Sequence, residues 1–190
     1  IKLIDELYKN GIEPIVILEN GSAVEIPFND KISGLLECYL GGEAINAALY
    51  DLIFGKVSPS GRLSETFAYH YEDYPSSPYF PGDGTNVLYK ESIYVGYRYF
   101  DKANKEVLYP FGYGLSYTDF EISKKSFNFD FPKINLEIEV KNVGDFSGKE
   151  VVQIYLGLPE GKLGKPAKTL CAFQKSKLLS PNETENLSFE

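Results

Sequence analysis

The sequence predicts an α/β layer followed by an all-β sandwich. Three observations carry that expectation. The chain opens as helix, apolar run, apolar run, helix, up to Gly55. Strict two-residue alternation then takes over at "INLEIEVKN". Beyond it, turn signals punctuate short apolar stretches to the last residue, which is the pattern of a sandwich.

The elements can be justified in order. Within residues 1–9, Ile1, Ile4 and Tyr8 share one helical stripe with Leu3 and Leu7 beside it, and Gly11 stands where a C-cap glycine belongs. The unbroken run Ile15–Leu18 reads as a strand buried on both faces. "ISGLLECYLGG" is strand or helix by pattern alone. "EAINAALYDLIFG" is the clearest helix: Ile45, Leu49, Leu52 and Ile53 share a face, alanines fill the gaps and Gly55 ends it. "SPSGRLSETF" reads as a turn with a short extended piece, and "YPSSPYFPGDGTN" as a loop. "NVLYKESIYVGYRYF", rich in Tyr and β-branched residues, predicts a strand with Gly96 at a bulge or close approach.

In "YPFGYGLSYT" the apolar side chains Tyr109, Phe111, Tyr113, Leu115 and Tyr117 recur at every second position, with Gly112, Gly114 and Ser116 between. That reads as a clasp joining two domains rather than as a loop that contacts a ligand. From Phe120 onward everything predicts strands. In "INLEIEVKN", Ile134, Leu136, Ile138 and Val140 point inward while Asn135, Glu137, Glu139 and Lys141 point out. "VVQIYLGL", "TLCAFQKSKLL" and "ENLSFE" supply further strands.

Composition narrows function. The chain is 43% hydrophobic and 24% charged, an ordinary globular balance. A net charge of −8 argues against a nucleic-acid partner, whose phosphates need a basic face. A membrane-spanning helix is not expected, because no run of about 18 apolar residues occurs. Cys38 and Cys171 are too few for a disulfide framework and are expected unpaired, at least one of them buried. A Cys-poor acidic chain fits a bacterial cytoplasm as well as secretion. The sequons at Asn20, Asn182 and Asn186 matter only for a secreted eukaryotic chain, and Asn20 is more simply a turn.

Motifs of catalysis or ligation are scarce. His70, the single histidine, has no ligand neighbours and no Gly-x-Ser-x-Gly elbow to serve, so it reads as a hydrogen-bonding surface residue. The Gly-x-Gly pairs that begin at Gly82 and Gly112 lack a third glycine and do not lead into a helix, which argues against phosphate binding. Glu43 is expected in the first turn of the strong helix, where a negative charge complements the macrodipole. No metal site and no cofactor are expected.

The motif strings carry more. "YLGGEAINAALYDLIFGKVSPSGRLSETF", "VLYKESIYVGYRYFD", "YPFGYGLSYTDFEIS" and "VKNVGDFSGKEVVQIYL" occur in one order and together resemble the C-terminal part of family-3 glycoside hydrolases. That group includes many β-glucosidases and β-xylosidases. The resemblance implies a partial α/β-sandwich domain over residues 1–68 and an aromatic-rich connecting segment over 69–118. It implies a truncated fibronectin type III-like β-sandwich over 119–190, and a TIM-like barrel elsewhere in the polypeptide.

It also implies retaining glycosidase chemistry, in which a nucleophile and an acid/base carboxyl lie about 5 Å apart. The family's nucleophile is an Asp in a Ser-Asp-Trp motif, and this chain has no Trp. Its acid/base is a Glu in a Ser-Gly-Glu-Gly-like loop, and no Gly-Glu-Gly occurs here. No catalytic residue is therefore expected within the chain, which should be inactive alone. The implied partner is a small glycoside or oligosaccharide, bound by the complete enzyme through residues that the sequence does not specify. A non-catalytic β-sandwich module that binds carbohydrate or protein is the alternative.

Two positions depart from the family pattern, Ser92 and Asn182, where glycine is common. Asn tolerates a left-handed backbone, so the turn after Pro181 should survive; around Ser92 a different backbone is expected.

Overall fold

The computed structural model describes residues 1–159 and 161–190. The chain divides into two compact units, one of Ile1–Ala44, Leu63–Gly112 and Pro159–Ala167, the other of Ile45–Arg62, Tyr113–Leu158 and Lys168–Glu190. The chain passes from the first unit to the second at Ala44–Ile45, at Gly112–Tyr113 and at Ala167–Lys168.

The first unit opens with helix α1, Lys2–Lys9. Gly11, at φ +75°, closes it: its N–H reaches the Tyr8 carbonyl at 2.9 Å and that of Ile12 reaches Leu7 at 3.0 Å, the paired bonds of a Schellman end. Strand β1 (Ile15–Leu18) pairs in parallel with β2 (Gly34–Glu37), Ile15 opposite Gly34 and Leu18 opposite Glu37. The ambiguous segment is thus a strand. A core of Ile26, Phe28 and Phe67 packs against Ile4, Val16, Leu18 and Leu35.

Burial of β1 on both faces is not what the structure shows. Ile15 and Ile17 remain 56% and 39% exposed, while Val16 and Leu18 pack on the core. Successive side chains on a strand point to opposite faces, and in this unit the core packs on one of them.

The aromatic stretch before Asp101 also differs from its expected strand. Helix α2, Ile45–Ile53, belongs to the second unit, and the next helix, α3, spans Tyr97–Ala103 in the first. Gly96 at φ +57° precedes α3, Asn104 at φ +48° ends it, and Phe100 is its buried residue. The β-propensity of Tyr and Val is overridden here by a backbone turn that only glycine makes freely.

Just upstream, Ser92 adopts φ +55°. The backbone therefore keeps the left-handed conformation that glycine would favour, against the expectation of a different one. Asn182, at φ +66°, does the same in the turn after Pro181. A left-handed conformation costs an L-residue about 1–2 kcal/mol, and Asn less. Replacing Ser92 by Gly should accordingly raise unfolding stability by roughly 0.5–1 kcal/mol, whereas Asn182→Gly should be near neutral; urea denaturation of both variants checks this.

The second unit holds α2 and five strands: β3 (Phe120–Asp130), β4 (Lys133–Asn142), β5 (Val151–Leu156), β6 (Thr169–Lys175) and β7 (Thr184–Phe189). They form an antiparallel sheet ordered β3-β4-β7 and an antiparallel pair β5-β6. The alternation read in β4 is realised, with Ile138 and Val140 buried beside Val152, Leu179 and Leu187. In α2 Leu49 is buried, and Gly55 at φ +68° follows the helix. Glu43 lies in the turn ahead of α2, outside its first helical turn, because the helix starts only at Ile45.

"YPFGYGLSYT" is not a strand. Gly112, at φ +80°, breaks the alternation and Leu115 is 72% exposed. Its first half serves the first unit. Tyr109 bridges to Phe67 and donates its hydroxyl to Asn29 at 2.6 Å, and Phe111 stacks on Tyr97 with centroids 4.9 Å apart. Its second half serves the other unit: Tyr117 donates its hydroxyl to the Leu52 carbonyl at 2.9 Å, and its N–H reaches the Ser58 hydroxyl at 3.0 Å.

Candidate functional site

In open parallel sheets ligands settle at the carboxyl ends of the strands, where loops converge. At that end of β1 and β2 the structure builds a braced loop pair. Glu37, the last residue of β2, accepts the Tyr39 N–H at 2.8 Å with one carboxylate oxygen and the Asn20 amide at 3.2 Å with the other. Asn20 also donates to the Ser22 carbonyl at 2.7 Å, and Cys38 N–H bonds Leu18 at 2.9 Å. This bracing holds Tyr39 at φ +48°, an uncommon backbone for a bulky residue, with its hydroxyl accepting the Ser64 N–H at 3.3 Å. Burial, reinforced by Glu37 and Glu19, pushes the Cys38 thiol up, which suppresses its thiolate.

A second concavity in the same unit has a volume of about 320 Å³. Pro75, Lys90, Glu91, Tyr94, Tyr99 and Lys102 line it. Tyr94 and Tyr99 face it beside Lys90, Glu91 and Lys102, and the depression is open to solvent.

Neither place shows the paired carboxyls of glycoside hydrolysis, where the acid needs its proton held at neutral pH. Among the described residues, every carboxyl whose ionisation is shifted is shifted down: Asp5 by Lys31, Asp73 by Lys105, Asp83 by the Asn86 and Thr85 amides, and Glu183 by Lys177. Such groups stabilise the fold above their ordinary pKa, and that stability disappears as pH falls through the lowered values. Thermal stability should therefore drop as pH falls below about 4, and Asp73→Asn should flatten that acid limb in a melting-temperature series.

The residues singled out in the sequence are scattered. His70 is exposed, and its N–H bonds the Asp73 carboxylate at 3.0 Å ahead of a 3-10 turn. Cys171 is exposed and donates to the Thr169 carbonyl at 3.3 Å; Cys38 is only half buried, so neither free thiol is fully enclosed. Small two-stranded and edge elements leave both within reach of solvent. Glu43 is exposed. At Gly82–Gly84 the amides of Thr85 and Asn86 point at the Asp83 carboxylate, at 2.9 and 2.6 Å, so the turn carries its own anion. Among the described residues no group of three or more His, Cys, Asp or Glu could hold a metal, and no helix is long and apolar enough to cross a membrane.

The Glu37–Asn20–Tyr39 brace was missed by sequence reasoning. A left-handed residue announces itself when it is glycine or asparagine; a tyrosine there gives no local signal.

An α/β unit with a parallel strand pair and a unit of stacked antiparallel strands, carried on the motifs above, define the class. The chain belongs to glycosyl hydrolase family 3: residues 1–117 match its C-terminal domain, and residues 150–190 match the fibronectin type III-like domain. Among particular relatives, it is 44% identical over 193 residues to thermostable β-glucosidase B of Acetivibrio thermocellus, covering 99% of this chain and 25% of that protein. The structure of β-glucosidase 3B from Thermotoga neapolitana in complex with glucose superposes with a TM-score of 0.90 at 40% identity, over 98% of this chain and 27% of that one. The β-glucosidase of Kluyveromyces marxianus gives a TM-score of 0.94 at 35% identity, over 98% and 22%. The chain thus spans about a quarter of the length of the relatives it matches.

Proposed function

We propose that this chain is the accessory C-terminal portion of a retaining exo-β-glycosidase, a β-glucosidase, which releases terminal sugars from β-linked glycosides. The observation that carries the reading is the continuous match across both units to β-glucosidases about four times longer. The shifted carboxyls support it from the other side, since they are engaged with lysines and backbone amides rather than with each other. The nucleophile and the acid/base then belong to polypeptide outside residues 1–190, including a barrel domain, and the Glu37–Asn20–Tyr39 brace serves as a rigid wall toward that assembly.

Hydrolysis of an aryl β-glucoside is the test. The 190-residue chain should show no turnover above buffer, and the longer polypeptide should be active. Turnover by the purified 190 residues would overturn the assignment of catalysis. Binding of oligosaccharide by these residues alone, in calorimetry, with an inactive longer polypeptide, would instead favour a non-catalytic binding module.

A further inference from the structure

The dipeptide Asn-Gly occurs twice, at Asn10–Gly11 and at Asn20–Gly21, both in the first unit. Glycine after asparagine lets the backbone nitrogen approach the carboxamide carbon, because no Cβ stands in the way. The structure holds the two copies in opposite ways.

Asn10 ends α1, and its Nδ2 points back along the helix to the Glu6 carbonyl at 2.7 Å. The Gly11 N–H is bonded to the Tyr8 carbonyl at 2.9 Å. Both reacting groups are thus tied to the preceding helical turn. Asn20 is folded forward instead, its Nδ2 donating to the Ser22 carbonyl two residues ahead at 2.7 Å. That bond carries the carboxamide along its own chain, on the side of Gly21. The Gly21 N–H has no acceptor among the described residues, and the glycine is exposed.

We propose that Asn20 is a site of spontaneous covalent modification, attacked by the nitrogen of Gly21, and that Asn10 is protected from the same reaction by the fold. A bond forms between the Gly21 nitrogen and Asn20 Cγ while the Cγ–Nδ2 bond breaks. Ammonia leaves with the proton that the Gly21 nitrogen gives up. Water then opens the five-membered imide at either carbonyl, leaving an aspartate or an isoaspartate at position 20. Water is the one co-reactant, and nothing is oxidised or reduced.

The consequence falls on the brace at the carboxyl ends of β1 and β2. Asn20 Nδ2 also donates to one Glu37 oxygen at 3.2 Å, while the other accepts the Tyr39 N–H at 2.8 Å. Conversion removes that donor and sets a second carboxylate against Glu37. Like charges at this distance repel, so Glu37 is pushed away and Tyr39 loses a bond that holds it at φ +48°. The first unit therefore carries a slow, irreversible switch from a braced loop to a loosened one.

Incubating the native protein in mildly alkaline buffer, then mapping the digest by fragment mass spectrometry, follows both asparagines at once. Asn20 should convert about tenfold or more faster than Asn10 in the folded protein. In denaturant, where neither geometry survives, the two rates should agree within about threefold. Gly21→Ala, whose Cβ meets nothing within 4 Å, should slow Asn20 about tenfold and leave Asn10 unchanged. Asn20→Asp supplies the new charge directly; it should lower the melting temperature by about 2–4 °C and speed amide exchange at Tyr39. Equal rates at the two asparagines of the folded protein overturn the proposal, as does an Asn20 that stays intact. Unchanged melting and unchanged Tyr39 exchange in Asn20→Asp overturn the switch. If that variant does not fold, Tyr39 exchange in the unsubstituted protein before and after conversion decides the same point.

Discussion

Asn142→Ala should cost the second unit about 3–4 kcal/mol, the largest loss expected of any polar substitution in it. The side chain is fully buried and uses all four of its hydrogen-bonding positions. Its amide donates to the carbonyls of Phe146 at 2.7 Å and Leu179 at 2.9 Å, and its oxygen accepts from the Thr118 hydroxyl at 2.8 Å and the Gly144 N–H at 3.1 Å. Its backbone N–H and carbonyl are bonded to Glu183 and Asn182. One residue thus ties the end of β4 to the loop after it, to the segment before β7 and to the entry of β3. Alanine would orphan partners on all three. Thr118→Val removes only one of those bonds and should cost about 1 kcal/mol. Chemical denaturation of both variants checks the ratio. An Asn142→Ala loss under about 1 kcal/mol would mean that water replaces the network.

The second large effect lies at Arg62 and Glu150. The Arg62 guanidinium meets both carboxylate oxygens at 2.6 and 2.7 Å, with side chains only 11% and 14% exposed. Glu150 is held in turn by the Val151 N–H at 2.6 Å and by backbone bonds with Ser176. Truncating one partner of a mostly buried pair strands the other, so Glu150→Ala should cost about 3 kcal/mol. Paired with Arg62→Ala in a double-mutant cycle, it should show a coupling of roughly 2 kcal/mol. A coupling near zero would place the pair among the solvent-screened ones. Gly114 belongs to the same arrangement: a Cβ there would sit 2.6 Å from the Gly61 carbonyl and 3.1 Å from the Arg62 side chain, so no other residue fits without displacing the backbone at Gly61.

These two networks brace the second unit from within. Arg62 fixes the segment after α2 to the start of β5, and Asn142 fixes the ends of β4 and β7, so the second unit is a rigid support. In the first unit, Glu37 does the corresponding work at the carboxyl ends of the parallel strands.

Legibility in the sequence followed the range of the interaction. Gly11 and Gly55 marked helix ends because a left-handed backbone at a C-terminus is a local demand. The alternation of β4 was readable because its period is a property of the strand itself. Ser92 and Asn182 were visible as substitutions for glycine, though that Ser92 keeps the glycine-like conformation was not.

α3 was misread as strand, since Tyr-rich composition suits either state until Gly96 and the burial of Phe100 decide. The sequence by itself determined the class of each half, the principal β-strands, the helix ends and, through its ordered motifs, the family. Only the tertiary structure decided which face of β1 is covered, that Tyr39 is held left-handed by Glu37, and that Asn142 is the polar centre of the sandwich. The reason is physical: local periodicity and backbone sterics act within a few residues, whereas burial and hydrogen-bond satisfaction depend on partners such as Leu179 that lie far along the chain.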